Sequence, residues 1–217
     1  YGLPHPLEWL SSRLSKLKVK AMTKPAVLQY WLHHFRTKAG SLPSIQYMKT
    51  SFLGLTKCHP IYRTCGSSPW EVEKGTTQAR LLSGRFRVEA LSCHWVPWNR
   101  EGLCTLPMCW RTNESHRGTV EHFLLSCPSL SNTRQALNLF NQSYLQAHPN
   151  LEPLVNTCLE IDTVQFWLDC STMHPVISAV QKEGEVLLFV LFKMTRNYCH
   201  GLYKARASQL ESDLKLQ

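Results

Sequence analysis

The stretch CTLPMCWRTNESHRGTVEHFLLSC, residues 104–127, sets four metal-capable side chains in the order C-x4-C-x12-H-x4-C: Cys104, Cys109, His122 and Cys127. A structural zinc ion asks for four soft or borderline ligands in a tetrahedron, commonly offered as two closely spaced pairs. Cys104 and Cys109 fit the first pair across a proline-containing turn, and His122 and Cys127 fit the second. On an unbroken α-helix a five-residue offset separates two side chains by about 140°. The short helix expected over GTVEHFLLSC must therefore end near Cys127, and Pro128 supplies the stop. The residues alone leave a second reading open, in which these are buried free thiols beside core leucines such as Leu124 and Leu125. His116 is a competing ligand at a poorer spacing, and Cys93 and His94 are substitutes for a different loop arrangement. A nucleophilic cysteine beside His122 lacks a third, orienting group.

Working outward, nearly every periodic segment reads as helix. TKPAVLQYWLHHFRTKAG, residues 23–40, has Pro25 early, apolar positions at 27, 28, 31, 32 and 35, and Gly40 as a stop. SSPWEVEKGTTQARLLSG, residues 67–84, offers Ser68 as cap, Pro69 at the first helical position, Glu71 three residues after the cap, and Gly84 as the end. Residues 41–67 between them read as mostly irregular. SLSNTRQALNLFNQSYLQ, residues 129–146, predicts a helix capped at Ser129 or Ser131. DTVQFWLDCS and PVISAVQ predict shorter ones. From Glu185 to the end runs a long helix with Val186, Val190, Met194 and Tyr198 on one face and Lys193, Arg196, Lys204 and Arg206 around it. Only RFRVEAL, residues 85–91, hints at alternation. The fold class is all-α: a helical domain with a small irregular CCHC zinc-binding insert and a long C-terminal helix. The expected organisation is a basic helical region over 1–100, the zinc motif and following helix start over 101–134, and a C-terminal helical region over 135–217.

The 217 residues suffice for a genuine core, and 43% apolar with 18% charged residues is a globular composition. No secretory leader is read at the start, and the apolar run VLLFVLF at 186–192 is too short to span a bilayer. Nine cysteines, an odd count, point to a reducing intracellular setting, nuclear or cytoplasmic, with thiols free or metal-bound. The net charge of +9 is uneven. Residues 1–100 carry 15 Lys or Arg against 4 Asp or Glu, and residues 101–217 carry 9 against 11. A basic half beside a nearly neutral one suggests a surface for a polyanion. Its candidate contacts are Lys16, Lys18 and Lys20 in KLKVK, Arg80, Arg85 and Arg87 around a helix end, and Trp95, Trp98 and Arg100 in HWVPWNR. Guanidinium groups fork onto phosphates, and tryptophans stack on unpaired bases or, more blandly, pack a core.

SSPWEVEKGTTQARLLSGRFRVEALSCHW, then GLCTLPMC, then VEHFLLSCPSLSNTR resembles the C-terminal region of non-LTR (LINE-type) retrotransposon reverse transcriptases. In that family an arginine-bearing helix ending in glycine precedes a CCHC zinc motif, which runs into a helix beginning C-P-x-L-x-x-x-R. The corresponding residues here are Arg80, Gly84 and Arg85, the four ligands, and Cys127, Pro128, Leu130 and Arg134. The likeness covers about residues 25–205 and is most specific over 68–134. It implies zinc at the four positions, and a segment downstream of the polymerase that grips RNA or DNA during target-primed reverse transcription. The remainder of such a polypeptide would be a partner. This chain has no Asp-Asp pair and no Pro-Asp nuclease signature, and its spacer between Cys109 and His122 is longer than the family's compact version. The expectation is a non-catalytic, zinc-stabilised module that binds RNA or DNA, with structural Zn2+ as cofactor and no membrane partner. The rival is a helical protein-interaction scaffold that uses the apolar face around Val190 and Met194.

Overall fold

The structure, a computed structural model, describes residues 5, 8, 15–39, 41, 46–48, 59–86, 88–92, 98–111, 116–173 and 185–215. Among these, every regular element is helical and none is a strand, so the chain is all-α. RFRVEAL forms no strand: its second half enters a short helix, Glu89–Ser92. Arg87, Trp95 and the segment PVISAVQ lie outside the described residues. The chain divides into two compact units, Tyr1–Lys57 and Cys58–Gln217.

The first unit holds one long helix, α1 (Lys16–Ala39), which starts well before the proline that the sequence places near its beginning. Pro25 sits in the interior and cannot donate to the Ala21 carbonyl. Just upstream, the Thr23 hydroxyl donates to the Val19 carbonyl at 2.9 Å, a local bond that accompanies helix bending. The fragment KLKVK thus forms the first turns of α1.

The second unit is assembled from α2 (Pro60–Arg63), α3 (Pro69–Leu82), α4 (Glu89–Ser92), α5 (Pro107–Arg111), α6 (Ser131–Gln146), α7 (Glu152–Asp169) and α8 (Glu185–Lys215), with short 3-10 and π turns between them. α3 starts as its sequence predicts. Ser68 Oγ accepts from the Glu71 amide at 3.3 Å, and Pro69 occupies the first turn, where an amide proton has no partner to lose. Gly84 ends it at φ 66°, a left-handed conformation that favours glycine. α6 is entered differently: Leu130 stands at its N-cap without a side-chain bond, because a 3-10 turn, Pro128–Leu130, feeds it directly. Ser129, an expected cap, instead accepts from the Met108 amide at 2.9 Å and ties α5 to that turn. α7 is two helical halves meeting at Asp162, whose backbone is extended. Asp162 Oδ1 accepts from the Gln165 amide at 2.9 Å, so it caps the second half, the segment read as DTVQFWLDCS.

α8 packs most extensively on α3, then on α6 and α7. It was expected to show one apolar face; instead its middle is enclosed on nearly all sides. Leu188, Leu191, Phe192, Met194, Thr195, Arg196, Tyr198, Cys199 and Leu202 are all buried. Each of the large apolar side chains contributes about 2 kcal/mol by leaving water. The polar residues in this central stretch reach other elements. Gln78 Nε2 donates to Thr195 Oγ1 and to the Trp167 carbonyl, both at 2.9 Å, joining α3, α7 and α8. Tyr198 donates to the Leu124 carbonyl at 2.9 Å, and Gln209 to the Ser129 carbonyl at 2.7 Å. Met194 therefore lies in the core and is unavailable as the surface that the scaffold reading needs.

Among the described residues no helix is long and apolar enough to cross a membrane.

Candidate metal centre

The residues that shape the cysteine stretch act before the cysteines do. Asn99 closes the turn ahead of it, donating to the Leu103 carbonyl at 2.7 Å and accepting the Leu103 amide at 2.8 Å. Gly102 takes φ 66°, and a Cβ there would stand 2.7 Å from Ala90 Cα, so both the bend and the approach to α4 require glycine. Leu103 then pairs with Arg117 in an isolated antiparallel bridge. In it the Cys104 amide donates to the His116 carbonyl at 2.8 Å and the Gly118 amide to the Gly102 carbonyl at 2.8 Å. Those bonds bring the far end of the 12-residue spacer back beside Cys104.

Cys109 rides on α5, its amide bonded to the Leu106 carbonyl at 3.0 Å. His122 and Cys127 flank a π turn, His122–Ser126, in which the Cys127 amide donates back to the His122 carbonyl at 2.7 Å. This resolves the five-residue offset. A sequence reading demands a frayed α-helix; the chain instead widens one turn to an i→i+5 bond, which brings residue 127 back over residue 122. The long spacer and the awkward offset are both absorbed by local backbone structure.

The four side chains are buried and their ligand atoms all lie within 4.8 Å of one another. Cys104 Sγ is 4.0 Å and Cys109 Sγ 3.6 Å from Cys127 Sγ, and Cys109 Sγ is 3.5 Å from His122 Nε2. With metal–sulfur bonds near 2.3 Å and metal–nitrogen bonds near 2.05 Å, a tetrahedron has sulfur–sulfur edges of about 3.8 Å and sulfur–nitrogen edges of about 3.6 Å. The observed separations match that figure, so this Cys3His group could hold a metal ion and is compatible with zinc. His116 is not part of the group; its ring stacks on His122 at 5.2 Å and buttresses it.

Ser126, which the sequence reading passed over, supplies the outer support. Its Oγ lies 3.2 Å from His122 Nδ1. With a metal ion on Nε2, Nδ1 would carry the proton and donate to that hydroxyl, which would fix the ring and its tautomer. The i, i+4 spacing of His122 and Ser126 was available as a signal. Arg134 Nη2 donates to the Cys127 carbonyl and pins the backbone of the fourth ligand.

Three sulfurs this close cannot all ionise without a cation. The thiol of Cys104 is pushed up to about 12, first by its hydrogen bond with Cys127 and then by burial. Burial foremost pushes Cys109 up to about 11. Cys127 is lowered, because the Cys104 thiol stabilises its thiolate. A divalent ion would replace the protons on the first two, and its charge would reverse this penalty.

The centre is braced from below by Glu89 on α4. Its carboxylate accepts from Thr105 Oγ1 at 2.7 Å, from the Thr105 amide at 3.3 Å and from Arg206 of α8 at 2.8 Å. Burial alone would raise its pKa, but the Arg206 charge and the Thr105 hydroxyl outweigh it and hold the group below the ordinary 4.5. A depressed carboxylate contributes stability that is present above the unfolded value and lost as pH falls through the folded one. Glu89→Gln is therefore expected to cost about 3 kcal/mol at neutral pH. Its deficit relative to the parent should shrink as the solution is acidified below the ordinary carboxylate range. Denaturant titrations of both proteins across that range would check this, and a pH-independent gap would contradict it.

The remaining candidate residues are more scattered. Lys16, Lys18 and Lys20 are exposed on α1, in the first unit. Arg80 and Arg85 are exposed at and just beyond the C-terminal end of α3. Trp98 is 73% exposed, so it does not pack the metal lobe against the helices, and the adjacent Arg100 is exposed as well. Cys158, Cys170 and Cys199 are buried core thiols, and Cys199 donates to the Trp167 carbonyl at 3.3 Å.

Comparison with known proteins finds no family model, no curated protein and no solved structure that matches this chain.

Proposed function

We propose that the chain is a non-catalytic, zinc-stabilised module that binds RNA or DNA through its basic N-terminal half. The observation that carries this reading is the surface of α1. From Lys16 to Ala39 it has six Lys or Arg and no Asp or Glu, and all six cations are exposed. Tyr30 and Trp31 are also exposed among them, Trp31 at 55%, with His34 stacked on Tyr30 at 5.9 Å. Cations with no acidic residue among them, interleaved with exposed aromatic side chains, suit a phosphate backbone carrying unpaired bases. Arg80 and Arg85 on the second unit, and the adjacent exposed pair Trp98 and Arg100, offer the same chemistry.

The metal's part is structural. Cys104, Cys109, His122 and Cys127 would complete the coordination of a zinc ion and leave no position for a substrate water, so the ion would supply folding stability. The likeness of residues 68–134 to the region after the polymerase in LINE-type reverse transcriptases supports the same reading, in which the module would act downstream of a polymerase.

Binding of a labelled single-stranded RNA or DNA, followed by fluorescence anisotropy over a range of salt concentrations, tests the reading. Affinity should fall linearly on a log–log plot as salt rises, with a slope of about −0.7 per phosphate neutralised. Replacing Lys16, Lys18 and Lys20 together by glutamate should flatten that slope and weaken binding at least about tenfold. Charge reversal at Arg80, Arg85 and Arg87 separates the contribution of the second unit. Absence of binding at low salt, with metal bound and the fold intact, would sink the proposal.

A further inference from the structure

The cations and aromatic side chains of α1 are not spread evenly around it. At about 100° per residue, Lys20, Lys24, Tyr30, Trp31, His34 and Lys38 fall within one arc of about 120°. Trp31 stands seven residues from both Lys24 and Lys38, a rise of about 10 Å to either side. Tyr30, Trp31 and these three lysines are exposed, and no Asp or Glu occurs between Lys16 and Ala39.

The three rings form a cluster. Trp31 meets Tyr30 at 5.7 Å and His34 at 5.8 Å, nearly perpendicular to both, and those two lie parallel to each other. Tyr30 and His34 thereby brace the indole, yet more than half of it remains exposed. Apolar residues scattered singly on a surface need no explanation; a braced aromatic cluster with cations at equal distances on both sides does. A lipid surface fits it poorly. A helix that lies in a membrane surface keeps its cations apart from one exposed apolar face. In α1 the tryptophan shares its arc with lysines, and Leu28, Leu32 and Phe35 are half-buried.

We infer that α1 selects single strands over duplex, with Trp31 stacking on an unpaired base between phosphates held by Lys24 and Lys38. The inference rests on the nucleic-acid reading above and adds to it a residue that sets specificity. Lysines alone follow phosphates and accept either form of nucleic acid. In a duplex the bases are stacked on one another and offer no face to a side chain, whereas in a single strand each base has a face that an aromatic ring can cover. Such stacking reads neither the sugar nor the base sequence, so RNA and DNA strands share the chemistry.

The test compares binding of the full chain to oligouridylate, to oligothymidylate and to a DNA duplex with the same number of phosphates, by fluorescence anisotropy across a range of salt. The two single strands should bind alike. Trp31→Ala should lower the ratio of single-strand to duplex affinity by about tenfold while keeping the parent's salt slope, because it removes a stacking contact and no phosphate contact. Trp31→Phe keeps a ring and should recover most of that ratio. Lys24→Gln combined with Lys38→Gln should flatten the slope for single strands. A strand carrying 5-iodouracil should cross-link under ultraviolet light to the peptide that contains Trp31. Equal losses for single strand and duplex in Trp31→Ala, no loss in either, or cross-links confined to other peptides would overturn the inference and leave the nucleic-acid reading standing. Tighter binding to phosphatidylserine vesicles than to either single strand would overturn it in favour of a lipid surface. A parent chain that binds no nucleic acid at low salt would remove both.

Discussion

Cys127→Ser is expected to remove the metal and the cooperative unfolding of residues 58–217 together. Apparent binding free energies for structural zinc are on the order of 10 kcal/mol, as large as the whole stability of a typical domain. The lobe that carries the ligands has little else to hold it. Among the described residues its regular structure amounts to α5, one isolated bridge, a π turn and a 3-10 turn. Leu106, Phe123, Leu124 and Leu130 are its buried anchors, and Phe86 meets Phe123 with ring centres 5.0 Å apart. Through Tyr198 and Gln209 the same lobe is fastened to α8, so its loss would loosen the central helix. Cys104→Ser and His122→Ala should behave alike, because three ligands leave a tetrahedral site open to water. Ser126→Ala should be milder, lowering metal affinity by about tenfold, since it removes the support of His122 and keeps all four ligands. Metal analysis and thermal unfolding of the same samples would check the series. A Cys127→Ser protein that retains full metal and an unchanged transition would refute the ligand assignment.

Arg196→Ala is expected to cost about 4 kcal/mol, the largest effect outside the metal lobe. This guanidinium on α8 is wholly buried. Its Nη1 donates to Thr64 Oγ1 at 2.7 Å and to the Ile61 carbonyl at 3.3 Å, and Nη2 donates to the Thr64 carbonyl at 3.0 Å. Helix ends leave carbonyls without partners, and Arg196 satisfies those of α2 from the middle of another helix. Glu71 Oε2, at 3.8 Å, supplies part of the countercharge from α3. Alanine would leave a void and an unmatched Thr64 carbonyl, both costly in a dry interior, while the Ile61 carbonyl keeps the Cys65 thiol at 3.0 Å. Arg196→Lys keeps the charge but loses the fork, and should recover less than half of the deficit. The midpoint of urea unfolding reports both variants. A loss below about 1 kcal/mol for alanine would show that water replaces the guanidinium at α2.

That arginine also marks where reading the sequence reaches its limit. Arg196 looked like one of several cations around a helix, because its partners Ile61 and Thr64 are 135 and 132 residues away. Nothing local distinguishes it from Lys204, which is exposed and pairs with Glu73. α3 was legible to the residue at its start, because its cap, its proline and its terminal glycine all act within one turn of the backbone. The all-α class followed from periodicity that local propensity reinforced. The four grouped side chains were legible as a set through spacing. Their arrangement was not, since the π turn depends on a bond between the His122 carbonyl and the Cys127 amide that an α-helical rule forbids. The cap of α6 was misread because Ser129 had a better partner in Met108, supplied by a segment 21 residues earlier. Asn141 read as an ordinary polar position on a helix and Arg134 as the arginine of the C-P-x-L-x-x-x-R pattern, and only the packing of α7 and α8 made both line a cavity.

Cys104, Cys109, His122 and Cys127 are proposed to hold one zinc ion. The most direct measurement is zinc-edge X-ray absorption of the purified full chain, with metal content determined on the same sample. The account predicts one zinc per chain with three sulfur ligands at about 2.3 Å and one nitrogen at about 2.0 Å. A metal-free, cooperatively folded chain, or zinc held only by oxygen and nitrogen, would contradict it.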